Sequence, residues 1–155
     1  MEVLIPSTFA GEERDSKIFA LKIGQLARTL GIFGVEKVII YRDYDNKLKD
    51  KYNAQKIEKL LKCAECPPYL RKFLIPFDKD LKEANVLPAL QIPSHGYSEE
   101  YREGYVIKSG NPSVIFCGLK ETIKVPQNLE KGTRVTLKKT KKGYEVSKAK
   151  GFWTF

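Results

Sequence analysis

Val3-Leu4-Ile5-Pro6 opens the chain, a helical stretch follows from about Ser16 to Leu30, and Val35-Glu36-Lys37-Val38-Ile39-Ile40-Tyr41 comes next; the reading of these residues decides the fold. Two short apolar runs with little alternation, joined by a helix, read as a βαβ crossover. Such a unit sets its strands side by side and parallel, in a sheet that needs cover on both faces. Within the helix, Phe19, Ile23, Leu26, Ala27 and Leu30 recur at spacings of three and four and form the buried stripe. Asp15 or Ser16 caps its start, and Gly31 is placed to end it. Lys17, Lys22, Gln25 and Arg28 lie off the stripe.

Working outward, residues 42 to 51 form a charged connection, and a second helix spans about Asn53 to Cys63 with Ile57, Leu60 and Leu61 on one side. Pro67 and Pro68 end it, because proline lacks the amide proton and restricts the residue before it. A helical turn follows over Tyr69 to Leu74, and residues 77 to 96 read as loop, with the single histidine at His95. From Gly104 the pattern changes to short runs at Tyr105–Ile107, Ser113–Cys117, Thr122–Val125, Arg134–Lys138 and Tyr144–Ser147, separated by Gly, Pro or Asn. This spacing predicts a small antiparallel barrel of five strands. Val135 and Leu137 alternate with Thr136 and Lys138, and Tyr144 and Val146 alternate after the turn, so one face is dry. Lys138-Lys139-Thr140-Lys141-Lys142 places four lysines at the predicted loop tip. The run Gly151-Phe152-Trp153-Thr154-Phe155 is aromatic and β-like, unlike a frayed polar end.

The expected fold class is therefore α/β: a partial layer over residues 1–96, a small antiparallel β-barrel of the OB type over 97–150, and a strand at 151–155 returning to the layer. The formal charge is +9 over 155 residues, and residues 104 to 155 hold 11 Lys and Arg against 3 Asp and Glu. A localised excess of this kind suits a polyanion, whose phosphates reward clustered cations through counterion release. A lysine-rich solvated surface is the plain alternative, but it ordinarily carries matching Glu. No run approaches the 18 apolar residues of a membrane span, and Glu2, Glu12, Glu13 and Asp15 stand where a signal peptide would be basic and then apolar. A cytoplasmic protein with no membrane partner is expected. Cys63, Cys66 and Cys117 are expected to be reduced thiols.

The sequence offers no catalytic or metal constellation. Cys63-x-x-Cys66 closes a helix instead of opening one after a strand, and Cys117 and His95 do not complete four zinc ligands at a ligand-like spacing. Gly24, Gly31 and Gly34 lie within or after the helix, so they do not make a dinucleotide fingerprint. What remains is RNA binding through a basic groove with aromatic platforms. Tyr105, Arg134, Lys138, Lys139, Lys141, Lys142 and Lys148 are the candidate RNA contacts on the barrel. Phe116, Tyr144 and Tyr105 are candidate stacking residues, with core packing the expected role of Phe116.

Several segments carry a resemblance: Val3-Leu4-Ile5-Pro6-Ser7-Thr8, Lys22-Ile23-Gly24-Gln25-Leu26-Ala27-Arg28, Ile32 through Tyr41, and Tyr69-Leu70-Arg71-Lys72. Together they resemble the archaeal and eukaryotic SPOUT-class (α/β-knot) RNA methyltransferases with an OB-fold insertion. Leu87-Pro88-Ala89-Leu90 with Pro93-Ser94-His95 is similar to that family's next motif, departing from it at Ala89 and Ser94. The resemblance covers residues 1 to 96, and the barrel by position. It implies a knotted α/β domain, S-adenosylmethionine held by the knot, a homodimer, and ribosomal or transfer RNA as substrate. It also adds Arg28, Arg71 and Lys72 as RNA contacts, and it places the cofactor-holding knot after a strand like Phe152-Trp153-Thr154-Phe155. The expectation is therefore a protein that binds ribosomal RNA or the ribosome, with no cofactor and no methyl transfer of its own. The alternatives are an S-adenosylmethionine-dependent RNA methyltransferase whose knot lies outside these residues, and a protein–protein adaptor.

Overall fold

A computed structural model describes residues 1–43, 50–92, 95, 100–141 and 143–147, without side chains at 50–52. Lys142, Lys148, the Pro93-Ser94 pair and the 151–155 run therefore lie outside the described residues. The chain divides into two compact units, the first built from Met1–Glu65 and Phe77–Gln91, the second from Cys66–Pro76 with the described residues from Ile92 onward.

In the first unit, β1 (Glu2–Pro6) pairs in parallel with β2 (Lys37–Tyr41), Glu2 opposite Lys37 and Pro6 opposite Tyr41, and α1 (Ser16–Ile32) joins them. The βαβ crossover is present. Cover on both faces is not supplied by the described residues, since Ile5 is buried while Leu4, its neighbour on the opposite face, is 62% exposed. α1 packs against α2 (Asp50–Glu65), and α2 against β2. Buried Phe19, Ala20, Ile23, Ala27 and Leu30 meet the core of Ile57, Leu60 and Leu61. Asp15 caps α1, accepting from the Lys17 amide at 2.7 Å.

The end of α1 differs from the expectation of a stop at Gly31. The helix continues to Ile32, and Gly34 takes the left-handed conformation at φ +61°. The Val35 amide donates to the Leu30 carbonyl at 3.0 Å and the Gly34 amide to Gly31 at 3.3 Å, while Leu30 and Val35 are both buried. That pair of hydrogen bonds with its apolar clasp satisfies carbonyls the helix end would leave orphaned. It also explains why β2 starts at Lys37 instead of Val35: Val35 belongs to the cap. α2 runs from Asp50 to Glu65, longer than the apolar spacing indicated: it begins with the charged pair Asp50-Lys51, which carries no stripe to read, and at its other end it adds Ala64 and Glu65, both buried. Residues 77 to 96 are not all loop; two 3-10 turns occupy Lys79–Leu81 and Ala84–Val86. Lys59 ties the first of them to α2, with Nζ 2.7 Å from Asp78 and 2.6 Å from Asp80. Gly24 on α1 leaves room for Leu87 and Pro88, since a Cβ there would strike the Pro88 ring.

The second unit holds a short helix, α3 (Arg71–Leu74), narrower than the Tyr69–Leu74 turn expected, and five strands. These are β3 (Tyr101–Lys108), β4 (Ser113–Phe116), β5 (Ile123–Val125), β6 (Arg134–Thr140) and β7 (Gly143–Val146). They run antiparallel in the order β5-β4-β3-β6-β7, and β5 also approaches β7, so the sheet is nearly closed into a barrel. Val106, Ile115, Cys117, Val125 and Leu137 fill its interior, with Ile123, Leu129, Val135, Tyr144 and Val146 around them. β3 starts four residues before the apolar run because its first half carries Tyr101, Arg102 and Glu103, whose polar groups find partners in the fold. Lys138 and Lys139 belong to β6, so the hairpin tip is only the step between Thr140 and Gly143, which takes φ +129°.

Candidate nucleic-acid interface

Antiparallel register assigns each barrel residue a face. Val106 lies opposite Ile115 and Gly104 opposite Val135 on the inner face; Tyr105 lies opposite both Phe116 and Arg134, Glu103 opposite Thr136, and Tyr101 opposite Lys138, on the outer face. Phe116 is therefore an outer-face residue and not core, whereas Tyr144, a candidate stacking residue by sequence, packs against the interior cluster. Alternation along β4 decides this: Ser113, Ile115 and Cys117 are buried, and Val114 and Phe116 are only half so.

On that outer face lies an aromatic cluster. The Phe73 ring of α3 stacks on Tyr105, centroids 4.7 Å apart and planes 11° from parallel, and meets Phe116 edge-on at 5.3 Å and 62°. The Lys72 ammonium sits 4.8 Å from the Phe73 centroid and 4.7 Å from that of Phe116, within cation–π reach of both. Phe73 remains 37% exposed. Sequence reading had Tyr105 and Lys72 as candidates and missed Phe73; its one signal was an aromatic directly following Arg71-Lys72.

The segment that brings Phe73 there is fixed from below. The Tyr69 hydroxyl donates to the Glu103 carbonyl at 3.1 Å, and Gly118, at φ +75°, admits the Tyr69 ring where a Cβ would lie 2.6 Å from its Cγ. The Arg102 guanidinium lies 5.2 Å from the Tyr69 centroid and its Nε donates to the Cys117 carbonyl at 2.6 Å. Burial raises the Tyr69 phenol to about 12, against a smaller opposing pull from Arg102, and burial likewise pushes the Cys117 thiol up. Leu70 is fully buried, and Arg71 Nε donates to the Cys66 carbonyl at 3.2 Å.

The expected basic contacts fall into different situations. Arg134 Nε lies 2.9 Å from the carboxylate of Glu103, which is 2% exposed and also accepts from Thr136 Oγ1 at 2.8 Å. That arginine neutralises a buried charge. Lys138 pairs with Glu100 at 3.1 Å and sits over Tyr101; the carboxylate, and secondly the phenol, hold its ammonium above the ordinary lysine value. Lys139 and Lys141 are exposed beside it, and Lys72 is exposed at the aromatic cluster. Arg28 is exposed on α1 in the first unit, whereas Arg71 and Lys72 belong to the second.

In the first unit, a groove of about 250 Å³ lies between β2 and α2, lined by Val38, Ile40, Leu61, Glu58 and Lys62. Its walls are apolar and its polar groups are an ion pair at 2.6 Å already satisfied within one helix. Adenine, ribose and an amino-acid head group need several donors and acceptors, so the groove does not fit S-adenosylmethionine, and no chemistry through that cofactor is assigned to these residues. At the strand ends, Ser7 is buried and accepts from the Asp43 amide at 3.1 Å, and Thr8 Oγ1 donates to the Asp43 carboxylate at 2.8 Å, tying the loop after β1 to the residue beyond β2. Among the described residues there is no group of three metal-ligating side chains and no helix long and apolar enough to cross a membrane.

A parallel βαβ unit joined to a basic, nearly closed five-strand unit defines the class, and comparison of the whole chain gives the family. The chain belongs to the family described as "Putative RNA methyltransferase", whose model matches residues 1–151. It is 28% identical over 156 residues to the human 28S rRNA (uridine-N(3))-methyltransferase, covering 89% of this chain and 42% of that protein. The Drosophila melanogaster protein of the same name is 28% identical over 97% of this chain and 36% of its own length. An uncharacterized protein of Haloarcula marismortui is 31% identical over 88% of this chain and 52% of its own. The chain thus spans about half the length of these relatives or less.

Proposed function

We propose that this chain binds ribosomal RNA through the outer face of its five-strand unit, within a protein of the RNA methyltransferase family. The outer-face cluster of Tyr105, Phe73 and Phe116, bordered by Lys72, carries the reading: aromatic platforms beside cations are the recurring surface for single-stranded nucleic acid. The strand order, with β3 pairing both β4 and β6 and β5 approaching β7, supports an OB-type barrel. The parallel βαβ unit, and the contact of Gly24 with Leu87 and Pro88, support a SPOUT-type layer, because two of the resembling motifs meet there. The activity that the human and fly relatives are named for supports ribosomal RNA as the partner class.

The test is binding of a ribosomal RNA fragment by fluorescence anisotropy across a salt series. Affinity that falls steeply with salt is expected, each neutralised phosphate adding roughly 0.7 to 1 to the slope of log K against log salt. Absence of binding at low salt, or a flat salt dependence, overturns the reading. Methyl transfer belongs to a second reading, favoured by the relatives' names. Calorimetric titration of this chain with S-adenosylmethionine separates the two: no heat of binding is expected, and a micromolar site would place a donor pocket in these residues.

A further inference from the structure

The strongest unassigned feature is the exposed ring of Phe73, and we propose that it is a stacking seat for one unpaired RNA base, with Lys72 beside it for the adjoining phosphate. This rests on the RNA-binding reading and deepens it, since it makes the ligand a single strand or loop and not a duplex.

Four observations converge. Phe73 is stacked on Tyr105 in near-parallel geometry and carries the Lys72 ammonium 4.8 Å from its centroid, so a base that displaces this exposed side chain from the ring would add a layer to an existing stack. The ring is held in place: Tyr69 is seated over Gly118 and hydrogen-bonded to Glu103, Leu70 is fully buried, and the Phe73 amide donates to the Leu70 carbonyl at 2.9 Å. A ring fixed before the ligand arrives loses little freedom on binding. More than a third of Phe73 nevertheless stays in water at 37% exposure, although Phe116 and Tyr105 beside it are half-buried. A ring needed only to hold α3 down would bury that area. Lys72, exposed and placed over two rings, supplies the single cation that a phosphate next to a stacked base requires. A base inside a duplex has its faces covered by its neighbours, so only an unpaired one can take the seat.

The experiment uses the full chain with two probes, a 12-nucleotide oligouridine and a blunt RNA duplex of equal length. The oligouridine is expected to bind at least roughly ten-fold tighter than the duplex. Phe73→Ala should weaken oligouridine binding roughly 5- to 100-fold, leave duplex binding unchanged and leave the salt slope unchanged, because stacking releases no counterion. Phe73→Tyr should keep wild-type affinity, and Lys72→Ala should lower the slope by about one unit. Should Phe73→Ala disturb the fold, photocrosslinking of a 5-bromouridine oligonucleotide to the unaltered protein remains decisive, with the adduct expected on Phe73. An adduct confined to other residues overturns the proposal, as does a Phe73→Ala protein that binds as wild type or loses both probes equally; RNA binding as such then still stands. If the unaltered chain binds neither probe, the underlying reading falls with it.

Discussion

Removing Arg134 should damage the barrel more than it damages any RNA contact. Glu103 is 2% exposed, and among the described residues its carboxylate has two partners, Arg134 at 2.9 Å and Thr136 at 2.8 Å. Arg134→Met leaves a buried charge with only a hydroxyl to face, a change worth about 3–5 kcal/mol in comparable buried pairs. Because the Arg134 side chain is itself 26% exposed and water can follow it, about 3 kcal/mol is expected. With a urea dependence of about 2 kcal/mol per molar, the midpoint of equilibrium unfolding should fall by roughly 1.5 M. The double change Glu103→Met with Arg134→Met removes the uncompensated charge as well, so it should recover at least about half of that loss. The order of the two variants carries the test. A single variant within about 1 kcal/mol of wild type would refute the assignment, as would a double variant less stable than the single. If Arg134→Met were instead fully stable and lowered the salt slope of RNA binding by about one unit, the arginine would be an RNA contact after all.

Gly118→Ala should cost roughly 2–5 kcal/mol, because it combines a left-handed residue with a Cβ 2.6 Å from the Tyr69 ring, whereas Gly34→Ala, at φ +61° with nothing within 4 Å, should cost only about 1–2 kcal/mol; thermal unfolding ranks them. Lys59→Met should flatten the acid limb of the stability profile. The hydrogen bond from Lys59 holds the Asp78 carboxyl below its ordinary value, so Asp78 contributes stability above the unfolded carboxylate range that is lost as pH falls through the lower folded value. Unfolding midpoints from pH 2 to 7 check it, and an unchanged limb would refute the clamp. Lys139→Ala and Lys141→Ala should each lower the RNA salt slope by about one unit, and Lys138→Ala by less, since Lys138 already pairs with Glu100 at 3.1 Å and must exchange that partner for a phosphate. Equal slopes for all three would refute the distinction.

The parallel crossover and the five-strand unit were legible because their signals are local: apolar runs, helical spacing, and turn residues between short strands. The helix end was not, because Gly31 and Gly34 read alike in sequence and only the pairing of Leu30 with Val35 selects the second. The extent of β3 was hidden for a related reason. Arg102 and Glu103 look unfit for a strand until partners from distant positions satisfy them: Arg134 and Thr136 on β6 for Glu103, and the Cys117 carbonyl for Arg102. Charge was the most ambiguous signal. A basic run announces itself whether its members face a phosphate, as Lys139 and Lys141 are free to do, or a buried carboxylate, as Arg134 does.

The outer face of the barrel thus changes character along β3. At the Tyr101 end it is wet, with Lys138 and Glu100 in a solvated pair. One pair further on it is closed, Glu103 and Thr136 both buried in a hydrogen-bonded cluster. At Tyr105 it opens again, but as rings instead of charges, with Phe73 laid over the sheet from outside it. A polyanion crossing this face can gain long-range attraction from the first zone and rigid support from the second. It can gain contact that depends on an unpaired base only in the third. Affinity and its salt dependence should therefore track the lysines of β6 and its turn, whereas preference for unpaired RNA should track one aromatic side chain from outside the sheet. Variants that moved both properties together, wherever they were placed, would contradict that division.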